Sequence, residues 1–295
     1  MENCAVIQII TPRKLILNGL WFGPKNPKRV LIFIHGLTSN AFSGHDLVVP
    51  LVDESTAVIT FSNRGNGKIV RVKRIDKRKK KGHVSLMIGE AHEVFIDCVD
   101  DIQGVINHVH SLGTRDIILI GSSTGCQKSA YYLSRKGKQN LIKGVVFLSP
   151  LSDYAGALHM DKNGLLARAT TIATQYCNEK IQHDLLPLSV WSQMHDAQRF
   201  LSLYTPDSEE EIFSYCQKNK IPQAYHSITI PQLVILGEKD ETRDRNIKKI
   251  AEWFKKNTRS RKSTIEIING ASHSFFQHEN EVAENIKSFI KNNSL

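Results

Sequence analysis

Eight stretches of the chain gather apolar, largely β-branched residues into runs of strand length: 4–10, 13–20, 29–34, 57–61, 117–120, 142–148, 232–237 and 263–268. Runs of this kind bounded by Gly, Pro, Asn and Asp predict strands, the first two joined by a turn at Thr11-Pro12. Between later runs the apolar period changes to 3–4. Val94, Cys98, Ile102, Val105, Ile106 and Val109 line one face of a helix expected over 90–112 and closed by Gly113. Shorter helical patterns fall at 44–53, 243–256 and 278–292, and another begins just after Ser123. Alternating strands and helices predict an α/β architecture, a mostly parallel sheet of about eight strands with helices on both faces. The stretch 152–227 breaks the pattern. It holds no buried strand and reads as polar helical pieces carrying Trp191, Phe200, Tyr204, Phe213 and Tyr215, mostly as a core of its own. The expected organisation is a core domain of 1–151 and 228–295 with a helical insertion, 152–227, after the sixth strand.

Sheets of this type bind ligands beyond the carboxyl ends of their strands. His35, Arg64, Ser123, Asp153, Asp240 and His273 each follow a predicted strand, so they are expected along one edge. The most informative of these turns is Gly121-Ser122-Ser123-Thr124-Gly125, Gly-x-Ser-x-Gly between the apolar strand Ile117-Ile118-Leu119-Ile120 and a helix. That context predicts a nucleophile elbow, with the serine at the tip of a strained turn and glycines letting strand and helix pass closely.

A serine hydroxyl needs a base within hydrogen-bond reach. His273 follows the last strand and is the candidate, with His278 as fallback. The imidazole in turn needs a carboxylate to fix its tautomer. Asp240, after the penultimate strand, is the candidate, with Glu238, Glu241 and Asp153 as rivals. Backbone N–H groups of Thr124 and of Leu37, in the loop His35-Gly36-Leu37, are the expected oxyanion donors. Thr38 reads as a cap for the helix that follows.

The order Ser123, Asp240, His273, the His-Gly loop and Asn63-Arg64-Gly65-Asn66-Gly67 resemble the α/β-hydrolase fold superfamily over essentially the whole chain. Ser123-Thr124-Gly125-Cys126-Gln127 with Tyr131-Tyr132-Leu133, and Ser149-Pro150-Leu151-Ser152-Asp153, resemble more narrowly a family that includes fungal siderophore esterases. Ser122 departs from the histidine that relatives commonly carry before the nucleophile. The superfamily resemblance implies that 152–227 is a cap over the site and that a small-molecule ester is the substrate, with amide or thioester variants. No cofactor or metal is implied. Acyl transfer to an alcohol, or a catalytically silent scaffold on the same fold, are the alternatives.

Charge adds one feature. The net charge is +10, and the stretch from Arg64 to Lys81 holds ten basic residues against Asp76 alone, so nearly all the excess sits in one segment. This segment is expected to be a solvated loop, with steering of an anionic substrate as the lesser reading. It lacks aromatic residues for base stacking, so nucleic-acid binding is not expected. Five scattered cysteines, no apolar run of about 18 residues and an N-terminus without an apolar leader predict a cytoplasmic protein with reduced thiols.

Overall fold

In the computed structural model, the described residues are 4–136, 141–161 and 163–295; Met1-Glu2-Asn3, read above as lacking a leader, lie outside them. The strands are β1 (Cys4–Ile10), β2 (Leu15–Phe22), β3 (Arg29–Ile34), β4 (Thr56–Phe61), β5 (Val70–Ile75), β6 (His83–Ile88), β7 (Asp116–Ser122), β8 (Ile142–Leu148), β9 (Gln232–Gly237) and β10 (Ser263–Ile268). They form one sheet in the order β10-β9-β8-β7-β3-β4-β2-β5-β6, with β1 on the free edge of β2. From β10 through β4 every pairing is parallel, and β1, β2, β5 and β6 pair antiparallel.

The helices are α1 (His45–Val48), α2 (Cys98–Ser111), α3 (Thr124–Lys136), α4 (Asp153–Met160), α5 (Leu165–Asn178), α6 (Ala197–Tyr204), α7 (Gln223–His226), α8 (Ile247–Asn257) and α9 (Glu279–Asn292). Side chains of β7 show how they cover the sheet. Ile117 and Leu119 pack with Ile102 and Val105 of α2, Ala130 of α3 and Phe254 of α8. Ile118 and Ile120 pack on the opposite face with Leu47 of α1 and Ile286 of α9. A strand apolar on both faces is what a doubly covered parallel sheet requires. A third cluster forms between α4, α5 and α6 around Leu166, Ala173, Phe200 and Leu203, while Phe213, Tyr215 and Tyr225 join the first face of the sheet.

Three expectations need correction. The basic segment is not a loop throughout: β5 and β6 pair as a hairpin, which raises the strand count to ten among the described residues and moves the helical insertion to after β8. Val70 and Val72 alternate with the exposed Arg71 and Lys73, which puts the valines toward the protein and those charges in solvent, and the alternation ends at Arg74-Ile75. The helix expected over 90–112 begins at Cys98, after short 3-10 turns at Glu90–His92 and Phe95–Asp97, because Val94 is extended and Glu93 turns inward to Lys128. The helix expected over 44–53 is α1 followed by a 3-10 turn, Val49–Leu51, where Pro50 removes an amide donor.

Candidate active site

The elbow forms where β7 turns into α3. Ser123 sits at φ 53°, a left-handed conformation that a residue with a side chain adopts only when its surroundings impose it. Those surroundings are crowded. A Cβ on Gly125 would run into the Ile34 carbonyl, and one on Gly36 would come within 2.8 Å of the Ser123 Cβ. The two glycines therefore press the loop after β3 against the serine.

His273, in the loop between β10 and α9, places Nε2 3.0 Å from Ser123 Oγ. Its Nδ1 lies 2.7 Å from Oδ2 of Asp240, which follows β9. With Nδ1–H donating to the carboxylate, Nε2 is free to accept from the serine hydroxyl. Asp240 is fully buried, and the Thr242 amide and hydroxyl donate to its Oδ1 at 2.9 and 2.7 Å. Burial opposes the Asp240 charge, but bonding to His273 and Thr242 outweighs it and holds the carboxyl below its ordinary value. Burial likewise disfavours the imidazolium, yet Asp240 first and then Glu241 and Asp153 raise His273 above 6.5.

The rival acids are occupied elsewhere. Glu238 accepts from the Gly270 amide at 2.8 Å and Glu241 from the His273 amide at 2.9 Å, so both shape the histidine loop. Ser149 Oγ adds a 2.8 Å bond to the His273 carbonyl. Asp153 accepts from Gln127. His278 stands at the start of α9 beside Glu281, away from this chain of bonds.

Thr124 is the first residue of α3, so its N–H has no intrahelical acceptor. Leu37 borders the same cavity as Ser123 and His273, a space of about 220 Å³ also lined by Gln127, Asp153, Trp191 and Tyr204. Thr38 is not a helix cap. Its hydroxyl bonds the Leu37 carbonyl, and α1 begins only after Gly44.

His35 and Arg64 do not reach the cavity as reactive groups. His35 is buried, accepts from the Asn63 amide at 3.1 Å and meets the Gly36 carbonyl at 2.8 Å. Burial, then Lys128, lowers it to about 3, so it stays neutral and pins the loop that carries Leu37. Arg64 is tied to Asp97, Asp100 and Asp101.

Beneath the elbow lies an ionic chain that the sequence did not announce. Lys128 of α3, fully buried, meets Glu93 at 2.6 Å and Asn63 Oδ1 at 3.1 Å. Glu93 pairs with Arg199 of α6 at 3.0 Å, and Arg199 with Glu210 at 2.5 Å. Burial works against the Glu93 charge, but Lys128 and Arg199 win and keep it below its usual value. These ions tie the loop after β4, the segment before α2, the elbow helix and the insertion together. Among the described residues no three His, Cys, Asp or Glu converge as a metal ligand set, and the five cysteines are unpaired.

A family model described as "Protein of unknown function (DUF1749)" matches residues 87–291, more than two thirds of the chain and including Ser123, Asp240 and His273. The chain belongs to this family. No protein with a curated description matches this DUF1749 member in sequence. Solved structures similar to it share the α/β-hydrolase fold. An esterase of Pyrococcus furiosus, Pf2001, is 18% identical, with a TM-score of 0.61 over 99% of this chain and 91% of its own. Est1E of Butyrivibrio proteoclasticus, solved with ferulic acid bound, is 18% identical, with a TM-score of 0.63 over 97% and 98%. The carboxylesterase CesB of Bacillus subtilis is 18% identical, with a TM-score of 0.55 over 98% and 92%.

Proposed function

We propose that this protein is a serine hydrolase that cleaves a carboxylic ester of a small molecule. The observation that carries the reading is the continuous hydrogen-bonded path from Asp240 through His273 to a serine held at positive φ. Ser123 Oγ bonds to the substrate carbonyl carbon while its proton passes to His273 Nε2. The oxyanion that forms is received by the N–H groups of Leu37 and Thr124. Collapse breaks the carbon–oxygen bond of the leaving alcohol, which takes the proton from His273 and leaves an acyl-enzyme. Water, deprotonated by His273, then releases the acid and restores the serine. Amides and thioesters fit the same steps, and an alcohol in place of water gives acyl transfer.

In this reading 152–227 serves as a lid over the core of 1–151 and 228–295. Support comes from Trp191 and Tyr204, which sit in the α4–α6 cluster and also border the cavity beside Ser123. Structural neighbours that are esterases favour the same chemistry at the level of reaction class. The test is hydrolysis of a short-chain aryl ester by wild type and Ser123→Ala. The account expects turnover to fall on the order of a million-fold. An Ala variant as active as wild type would remove Ser123 from the reaction.

A further inference from the structure

We propose that Asp153 and Gln127 form an acceptor subsite beside Ser123 that selects esters carrying a protonated amine. This rests on the hydrolase reading above and names a substrate class for that site. Asp153 opens α4 at the carboxyl end of β8, and Gln127 lies one turn into α3; both border the cavity that holds Ser123 and His273.

The Gln127 amide is oriented by its partners. Its Nε2 donates to the Leu151 carbonyl at 3.1 Å and to Asp153 Oδ2 at 2.9 Å, which uses both N–H groups. Its Oε1 is buried and has no partner among the described residues. An unpaired buried acceptor is costly unless something else meets it. Asp153 accepts that one bond from Gln127 but lacks a cation. It forms no ion pair among the described residues, since Arg199, the cation that acts on it, is itself paired to Glu93 and Glu210.

Asp153, held in place by the Gln127 amide and only partly buried at the cavity wall, leaves the donors to the ligand, and an ammonium supplies both donors and charge. The electrostatics agree. Burial first, then the facing Glu210, push the Asp153 carboxyl up to about 7, against Arg199 and His273, which pull it down. An arriving cation favours the ionised form. An acid placed there only to favour the start of α4 needs no partner from another helix.

The test compares kcat/KM for matched aryl esters, 6-aminohexanoate and 3-aminopropanoate against the corresponding uncharged alkanoates, in wild type and Asp153→Asn. Charge-assisted hydrogen bonds of this kind predict a preference on the order of tenfold or more for at least one amine ester, falling toward unity in the variant. The ratio is the readout, so a general loss of activity does not mimic it. Wild type that hydrolyses the alkanoates without favouring either amine ester overturns the subsite and leaves the hydrolase reading standing. If no ester is hydrolysed, the hydrolase reading fails instead, and calorimetry decides the subsite. Tighter binding of hexylammonium than of hexanol, lost in Asp153→Asn, supports it; equal binding overturns it.

Discussion

Charge is concentrated in two places in this molecule, and they behave in opposite ways. The β5–β6 hairpin carries a dense run of Lys and Arg, from Arg71 to Lys81, almost all exposed; Arg78 meets Asp76 at the surface. The chain Asn63, Lys128, Glu93, Arg199 and Glu210 has few charges, every one buried, each facing an opposite partner. Water screens the first group and stabilises each charge singly. The second has only its own members, so each depends on the next. Density of charge along the sequence therefore says little about consequence. Position in the fold decides it.

The hairpin has its own physical logic. β2 pairs with β4 through Gly19–Phe22 and with β5 through Leu15 and Ile16, so the hairpin continues past the end of β4, on the edge where Ser123 lies. There β6 is the outermost strand, and its sequence His-Val-Ser-Leu-Met-Ile holds no Lys or Arg; the charges stand on β5 and in the turn that joins the two strands.

Substitutions test the contrast, and the largest effect belongs to the buried side. Asp240→Asn keeps the shape but offers His273 the wrong hydrogen-bond pattern. The expected loss in kcat is about ten-thousand-fold, read from steady-state ester hydrolysis. Lys128→Met leaves Glu93 and Asn63 facing an apolar chain in the interior. It should destabilise the fold by about 3 kcal/mol or more, measured by denaturant unfolding, since breaking one member of a buried ion pair strands the other.

A smaller effect concerns pH. The neutral imidazole is the base, so kcat/KM should rise with pH through the raised His273 value and level off above it, with a midpoint above 6.5. Glu241→Gln removes a nearby negative charge that favours the imidazolium, and the limb should move to lower pH. A limb that stays put or moves up would show that Glu241 does not act on His273 through its charge. The smallest effect belongs to the hairpin. Replacing Lys77 through Lys81, Arg78 included, by Gln should leave both the thermal midpoint and hydrolysis of an uncharged ester nearly unchanged across a salt series. A rate lost in the variant and recovered in no salt condition would break the comparison.

Much of this was legible in the sequence because the elements concerned have local signatures. The parallel strands β3, β7, β8 and β9 are uninterrupted apolar runs, and Gly121-Ser122-Ser123-Thr124-Gly125 joins strand to helix at a fixed spacing. The loops after β9 and β10 made Asp240 and His273 the leading candidates, but Glu238 and Glu241 differ from Asp240 by two and one positions. Only hydrogen bonds formed in three dimensions separate them. The β5–β6 hairpin was hidden by its own charge, although Val70 and Val72 alternate with Arg71 and Lys73 as in a half-buried strand. The ionic chain had no signature at all. Positions 93, 128, 199 and 210 share no spacing, and a lysine in an otherwise amphipathic helix reads as solvated until the helix is packed.

The most direct test of the central claim is intact-protein mass spectrometry after treatment with a fluorophosphonate, on folded wild type and on Ser123→Ala. An activated serine attacks phosphorus and displaces fluoride, and an unactivated hydroxyl does not. The account predicts a single adduct on wild type, mapped to the peptide containing Ser123, and none on the variant. Folded wild type that stays unmodified, or an adduct that persists in Ser123→Ala, would contradict it.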